Sequence, residues 1–224
     1  MGTGDLHAWQ MMIKGGPIMW PIFLCSVVAL TLFVEKLFYF ASIATNTAEL
    51  KSKIFKNIKE NRLKEAIVIC EQSNSPVAKI MKAGILRSGG DREEIRASIE
   101  EIGLLEIPKL EKRLNALATI AYTALLLGFL GTVVGMANVF HAIEVRSASM
   151  NPVTAGDLAA GIWQALLTTI FGLCVAIPSF LAYNYCVSRV NDFVGKMERA
   201  AVELVNVLAH VSERDTGAAQ GNEL

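Results

Sequence analysis

Charged residues are missing from three long stretches of the chain, and those stretches predict its largest elements. Gly15 to Val34 forms a 20-residue window closed by Glu35-Lys36. Leu114 to Phe140 forms one of 27 residues opened by Lys112-Arg113, and Leu158 to Ser188 one of 31 residues between Asp157 and Arg189. About 20 apolar residues, rising 1.5 Å each, carry a helix across roughly 30 Å of hydrocarbon. The first window suffices and is predicted to continue as helix to residue 41. The other two would measure roughly 40 Å and 46 Å unbroken, so they tilt or run on past the bilayer. A cleaved signal peptide does not fit the first window. Met1 to Lys14 carries one lysine and Asp5, and no small-residue cleavage site precedes Glu35-Lys36.

Between the windows the period stays helical. From Thr47 to Cys70 apolar residues recur at Leu50, Ile54, Ile58, Ala66, Ile67 and Ile69, and the Asn74-Ser75-Pro76 cluster ends the run. A short helix over Val77 to Arg87 stops at Gly89-Gly90. Asp91 then caps a third, with Glu93 and Glu94 in its favourable first turn. Its apolar positions, Ile95, Ile99, Ile102 and Leu105, continue through Ile107, Leu110 and Leu114 into the second window, with Pro108 as the expected kink. After the third window, Val190, Phe193, Val194, Met197, Ala201, Leu204, Val205 and Leu208 form an amphipathic stripe to about Val211, and residues from Asp215 on read as disordered. The expected fold is an all-α integral membrane protein with three transmembrane helices, the second and third extended into a helical region outside the bilayer. No separate soluble domain is expected.

Basic residues orient this arrangement. Fifteen Lys/Arg lie from Lys36 to Arg113 and four from Arg189 onward, while the N-terminus has only Lys14 and the turn after the second window only Arg146. Positive charge stays in the cytoplasm. The reading is therefore a periplasmic N-terminus over 1–14, spans over 15–41, 114–140 and 158–188, a cytoplasmic helical region over 42–113, a periplasmic loop over 141–157 and a cytoplasmic tail over 189–224.

Composition agrees and narrows the chemistry. Apolar residues make up 53% of the chain and charged residues 19%, against about 25% charged in soluble proteins. A formal net charge of zero argues against a nucleic-acid binder recruited by bulk positive charge. Walker and dinucleotide loops, HExxH and CxxC are absent, so neither an enzyme nor a cofactor is expected. His7, His141 and His210 lie far apart, and Cys25, Cys70, Cys174 and Cys186 are isolated, which points away from a metal site or disulfide. Gly128, Gly131 and Gly135 share a side of the second span, and Gly161, Ala165, Gly172 and Ala176 a side of the third; close helix packing accounts for them. Thr119, Thr123, Thr132 and Asn138 in span two, and Gln164, Thr168, Thr169, Ser179 and Asn184 in span three, are polar residues within apolar segments. Gln164 and Thr168 share a face, and an amide facing hydrocarbon costs several kcal/mol unless paired. Helix–helix hydrogen bonding and pore lining account for these residues equally well on composition alone.

Two of these segments resemble a known family. The run Gly161-Ile-Trp-Gln-Ala-Leu-Leu-Thr-Thr-Ile-Phe-Gly-Leu-Cys-Val-Ala-Ile-Pro178, ending at Tyr183-Asn184, resembles the third span of the MotA/TolQ/ExbB proton-channel family. Leu127-Gly-Phe-Leu-Gly-Thr-Val-Val-Gly-Met136 resembles its second-span motif, and Gly15-Gly-Pro-Ile-Met-Trp-Pro21 and Ala66 to Pro76 resemble the ExbB-like branch. Three spans and a cytoplasmic segment of roughly 70 residues resemble TolQ and ExbB more than the four-span MotA.

The resemblance implies a bacterial inner-membrane motor subunit. Its members form homopentamers around a dimer of single-span partners resembling ExbD or TolR, which carry an aspartate in their span. They use the proton-motive force for work on the envelope, in some cases through a TonB-like or other envelope-spanning protein. By the same resemblance Thr132 matches the span-two threonine facing the pore, and Thr169 the span-three threonine near the partner's carboxylate. Gln164 stands where the best-known members carry a glutamate, and it can hydrogen-bond or hold water but cannot titrate. None of the spans holds Asp, Glu, Lys, Arg or His at mid-depth, so a proton relay through this chain needs a carboxylate from another polypeptide. Its own share is a polar wall of Thr132, Gln164, Thr168 and Thr169. A non-conducting membrane scaffold is the alternative. A small-molecule transporter fits poorly, because three spans leave no room for internal repeats.

Overall fold

In this computed structural model the described residues are 15–43, 47–148, 152 and 154–221. Seven helices carry them: α1 (Met19–Ile43), α2 (Thr47–Lys59), α3 (Leu63–Glu71), α4 (Pro76–Leu86), α5 (Arg92–Glu111), α6 (Leu114–Ala148) and α7 (Ala155–Gly221). No strand occurs among the described residues, and three helical stretches are long and apolar enough to cross a membrane. Two compact units divide the chain. The first holds residues up to Glu35 and Arg113–Tyr185, and the second Lys36–Lys112 and Cys186 onward. The second unit gathers the helical region expected after the first span together with the end of the last helix.

In the first unit α6 and α7 run antiparallel, since Gly128 meets Gly172, Gly131 meets Thr168 and Gly135 meets Ala165. The buried positions of α6 are Leu114, Leu117, Ala121, Ala124, Gly128, Gly131, Gly135 and Val139. Steps of three and four make one narrow seam of the coiled-coil kind, filled mostly by small residues. Outside that seam the helix shows Leu126, Phe129, Val133 and Phe140 to its surroundings, the pattern of a helix in lipid rather than in water. An edge-to-face contact between Tyr122 and Phe180 (ring centroids 4.8 Å apart) adds to the α6–α7 pair, and Phe33 meets Tyr185 to join α1 to α7.

The second unit is built with water-soluble packing rules. Ile54, Ile58, Val77, Ile80, Met81, Ile85, Ile99, Leu204 and Leu208 are all buried. A Cβ placed on Gly84 would run into Leu204 and Ile99, so α4 crosses α5 and α7 closely there. Lys51 pairs with Glu203 at 2.7 Å, and Arg92 donates to Asn206 at 2.5 Å, fastening α2 and α5 to the same part of α7.

Helix ends account for the departures from the sequence reading. The stretch Thr47 to Cys70 is two helices, because Asn61 takes a left-handed φ of 58°. Arg62 N–H bonds the Asn57 carbonyl at 2.8 Å and Asn61 N–H that of Ile58 at 3.0 Å, a Schellman termination with asparagine in the role usual for glycine. Asp91 does cap α5, accepting from Glu94 N–H at 2.7 Å. Pro108 lies inside α5, and the run expected to pass unbroken into the second span is interrupted at Lys112-Arg113, where Arg113 has φ 67°. In the second unit the carbonyl of Leu110, near the end of α5, accepts from buried Lys36 Nζ at 2.8 Å, a cation at the negative end of the helix dipole. The same ammonium lies 5.2 Å from the Tyr39 ring centre. Helix α7 continues to Gly221, so the segment from Asp215, expected to be disordered, extends the helix through that point.

Glu106 is a buried carboxylate of the second unit, held by Lys79 at 2.7 Å and Lys109 at 2.5 Å. Burial pushes its pKa up, but hydrogen bonds and charge from the two lysines outweigh that and hold it below the ordinary glutamate value. A depressed carboxyl stabilises the fold fully above its unfolded pKa, about 4.3, and that contribution fades as pH falls through the folded value. Glu106→Gln is therefore expected to lower stability at pH 7 by about 1–2 kcal/mol, and the deficit should shrink on acidification toward pH 3. Thermal unfolding of both proteins across that range checks it; a deficit that stays constant with pH contradicts the assignment.

Candidate functional site

A close approach of two backbones comes first, and the polar groups are set by it. A Cβ on Gly172 would lie 2.8 Å from the Gly128 Cα and 2.9 Å from the Ala124 carbonyl oxygen, so Gly172 has no room for a side chain, and one on Gly128 would be tight at 3.2 Å from the Gly172 Cα. Gly131 is covered by the Thr168 side chain, a Cβ on Gly135 would lie 2.7 Å from that of Ala165, and Gly161 packs under Val139. All five glycines singled out from the sequence thus lie in one seam, four facing small partners and Gly161 the larger Val139.

The threonines sit on this seam at different depths. Thr168 is 1% exposed and donates to the Ala165 carbonyl at 2.8 Å. It is wedged between α6 and α7 against Gly131 and is buried there. Its neighbour Thr169 is half-buried and donates across the seam to the Gly128 carbonyl at 3.1 Å. Thr132 on α6 is half-buried too and donates back to Phe129 at 2.6 Å. Gln164, one turn from Thr168, aims its amide nitrogen at the Gly15 carbonyl 3.5 Å away. Ser179, buried near Pro178, donates to Val175 at 2.7 Å.

Each of these hydroxyls therefore has a backbone acceptor, as a group in a low-dielectric seam requires. Each keeps lone pairs with which it can accept. Such a row can order water or meet a partner's acid, but hydroxyls and amides cannot hold a net charge near neutral pH. In the sequence Lys36 marks only the end of the first span. Its burial against Leu110 depends on the break at Lys112-Arg113, which no residue pattern announces. Among the cysteines, all free thiols, burial pushes Cys70 up to about 11, which keeps that thiol protonated and unreactive.

Long apolar helices, two of them zipped through glycine, alanine and threonine with polar but no charged groups in the seam, define a membrane-embedded helical bundle. The chain belongs to the MotA/TolQ/ExbB proton channel family, which its residues 72–199 match, more than half of its length. A putative biopolymer transport protein ExbB homolog of Methanothermobacter thermautotrophicus is 29% identical over 190 residues, covering 84% of this chain and 66% of that one. The putative biopolymer transport protein ExbB-like 3 of Synechocystis is 29% identical over 173 residues, 77% of this chain and 81% of that one. The Tol-Pal system protein TolQ of Pseudomonas aeruginosa is 36% identical over 103 residues, 46% and 43% of the two chains. This chain thus spans just under two thirds of the first relative's length.

The seam makes a sharp mutational prediction. Gly172→Ala is expected to destabilise the protein by on the order of 2 kcal/mol, because backbone cannot yield as a flexible side chain does. Gly103→Ala, on α5 with nothing within 4 Å of the new methyl, should instead stabilise by about 0.5–1 kcal/mol through helix propensity. Thermal melts of the purified protein in one detergent compare them directly.

Proposed function

We propose that this chain is the multi-span subunit of an inner-membrane proton-driven motor. It works with a dimer of single-span, ExbD- or TolR-like proteins to couple the proton-motive force to work on the cell envelope. The observation that carries the reading is the family membership joined to a seam whose polar groups are all uncharged. A proton relay needs a titrating group, so the carboxylate comes from the partner's span. Each proton moving down 100 mV releases about 2.3 kcal/mol, enough to bias one subunit's conformation against another's. Thr132 and Thr169 form the polar wall toward the partner, Gln164 lies at one end of it, and Thr168 supports it from inside the helix pair. Five copies surround the partner dimer in this reading, with a TonB-like or other envelope-spanning protein receiving the work. The N-terminus and the 141–157 loop are periplasmic, and 42–113 and 189–224 cytoplasmic.

The threonine hydroxyls bonded within their own helix pair favour a second reading, a non-conducting scaffold, and one substitution separates the two. Thr169→Val keeps the shape and gives up one hydrogen bond worth about 1 kcal/mol. The oligomer should survive on a native gel while energised activity in cells falls sharply. Normal activity in an assembled Thr169→Val protein sinks the channel reading in favour of the scaffold. Topology is tested separately. A membrane-impermeant thiol reagent added to intact cells should label Ser147→Cys and not Glu101→Cys; labelling of the latter reverses the orientation and removes the motor reading with it.

A further inference from the structure

The entry to the first span is tied down by a side chain from the third. Before α1 the chain makes a tight turn in which Met19 N–H bonds the Gly16 carbonyl at 3.2 Å and Trp20 N–H that of Pro17 at 3.4 Å. The carbonyl of buried Gly15, just before this turn, accepts from the Gln164 amide nitrogen on α7, 3.5 Å away. Gly16 has φ 78°, a conformation open chiefly to glycine. A Cβ there would collide with that same Gln164 nitrogen. Space and hydrogen bonding thus converge on one amide. The contact seats Met19 and Ile22, each 2% exposed, at the start of α1.

We propose that Gln164 is a positioning residue: its side-chain amide latches the Gly15-Gly16-Pro17 turn, and with it the first turn of α1, onto α7. The requirement at this position is a donor of the right reach. Asparagine, one methylene shorter, falls short of the Gly15 carbonyl, and a methionine of similar volume fills the space without donating. The polar wall available to a partner then begins one to two turns further along α7, at Thr169, because the Gln164 amide is engaged by the turn. The latch goes beyond the channel reading and does not depend on it.

Hydrogen–deuterium exchange on the full-length protein in lipid nanodiscs tests the latch. Gln164→Met and Gly16→Ala should each speed exchange in peptides covering residues 15–24 by roughly fivefold, the factor given by one net hydrogen bond of about 1 kcal/mol. Peptides covering 124–136 in the α6–α7 seam should not change. In the double variant the Gly16→Ala effect should be smaller than in the parent, since the hydrogen bond that the alanine disturbs is already gone. Gln164→Asn should behave like Gln164→Met, and it carries the test if the methionine variant does not assemble. Unchanged exchange over 15–24 in the Gln164 variants overturns the proposal, as do fully additive effects in the double variant or an equal rise over 124–136. Thr169→Val should leave exchange over 15–24 untouched, so failure of the latch and failure of the channel reading are told apart.

Discussion

Everything in the first unit depends on two helix backbones approaching until glycine Cα atoms touch. At Gly172 there is no space for a methyl group and at Gly128 very little, and a seam that narrow is filled mostly by glycine, alanine and threonine. In lipid no hydrophobic force draws one helix to another, so contact at short range between backbones and small side chains is what holds the pair. The same closeness puts the Gly128 carbonyl within reach of the Thr169 hydroxyl. Packing and polarity in this protein are therefore one arrangement: the glycines make the gap, and the hydroxyls that fit it are the candidates for function.

Helix α7 shows the rule changing along a single stripe. Among the described residues its buried positions are Ala165, Leu167, Thr168, Gly172, Ala176 and Ser179 in the first unit, mostly small, then Cys186, Val190, Phe193, Met197, Ala200, Leu204, Val205 and Leu208 in the second, mostly large. The spacing hardly alters while the side chains grow. Large apolar residues gain by leaving water, whereas in hydrocarbon that gain vanishes and small residues pack better. The change of residue size falls at the boundary between the two units, near Tyr185 and Cys186.

Charges are handled with the same economy. Lys36 and Glu106, both buried, have their neighbours within hydrogen-bonding distance: a backbone carbonyl at a helix end for the first, two half-exposed lysines for the second. No such provision exists in the middle of the spans, and no charged residue is placed there. In the proposed motor such a subunit would contribute a fixed polar surface, and the titrating group would come from another chain.

Much of this was legible in the residue pattern. Three charge-free windows, their lengths and the continuation of helices beyond them follow from hydrophobicity and rise per residue alone, and the glycine spacing on the second and third windows already marked faces able to pack. Caps with a side-chain acceptor, such as Asp91, were legible too, because the chemistry lies within one turn. What the sequence could not decide is which partner each face meets. Thr168 and Thr169 are adjacent in sequence, yet one closes over Gly131 inside the pair while the other reaches Gly128 from its edge. Gln164 reads as a lone amide until the Gly15 turn, nearly 150 residues earlier, is brought against it. The break at Lys112-Arg113 leaves no mark comparable to Pro108, since a proline disturbs only its own turn while this break is held by Lys36 from another helix. Local chemistry sets the helices; the contacts that give their polar residues a role are non-local, and only the tertiary structure decides them.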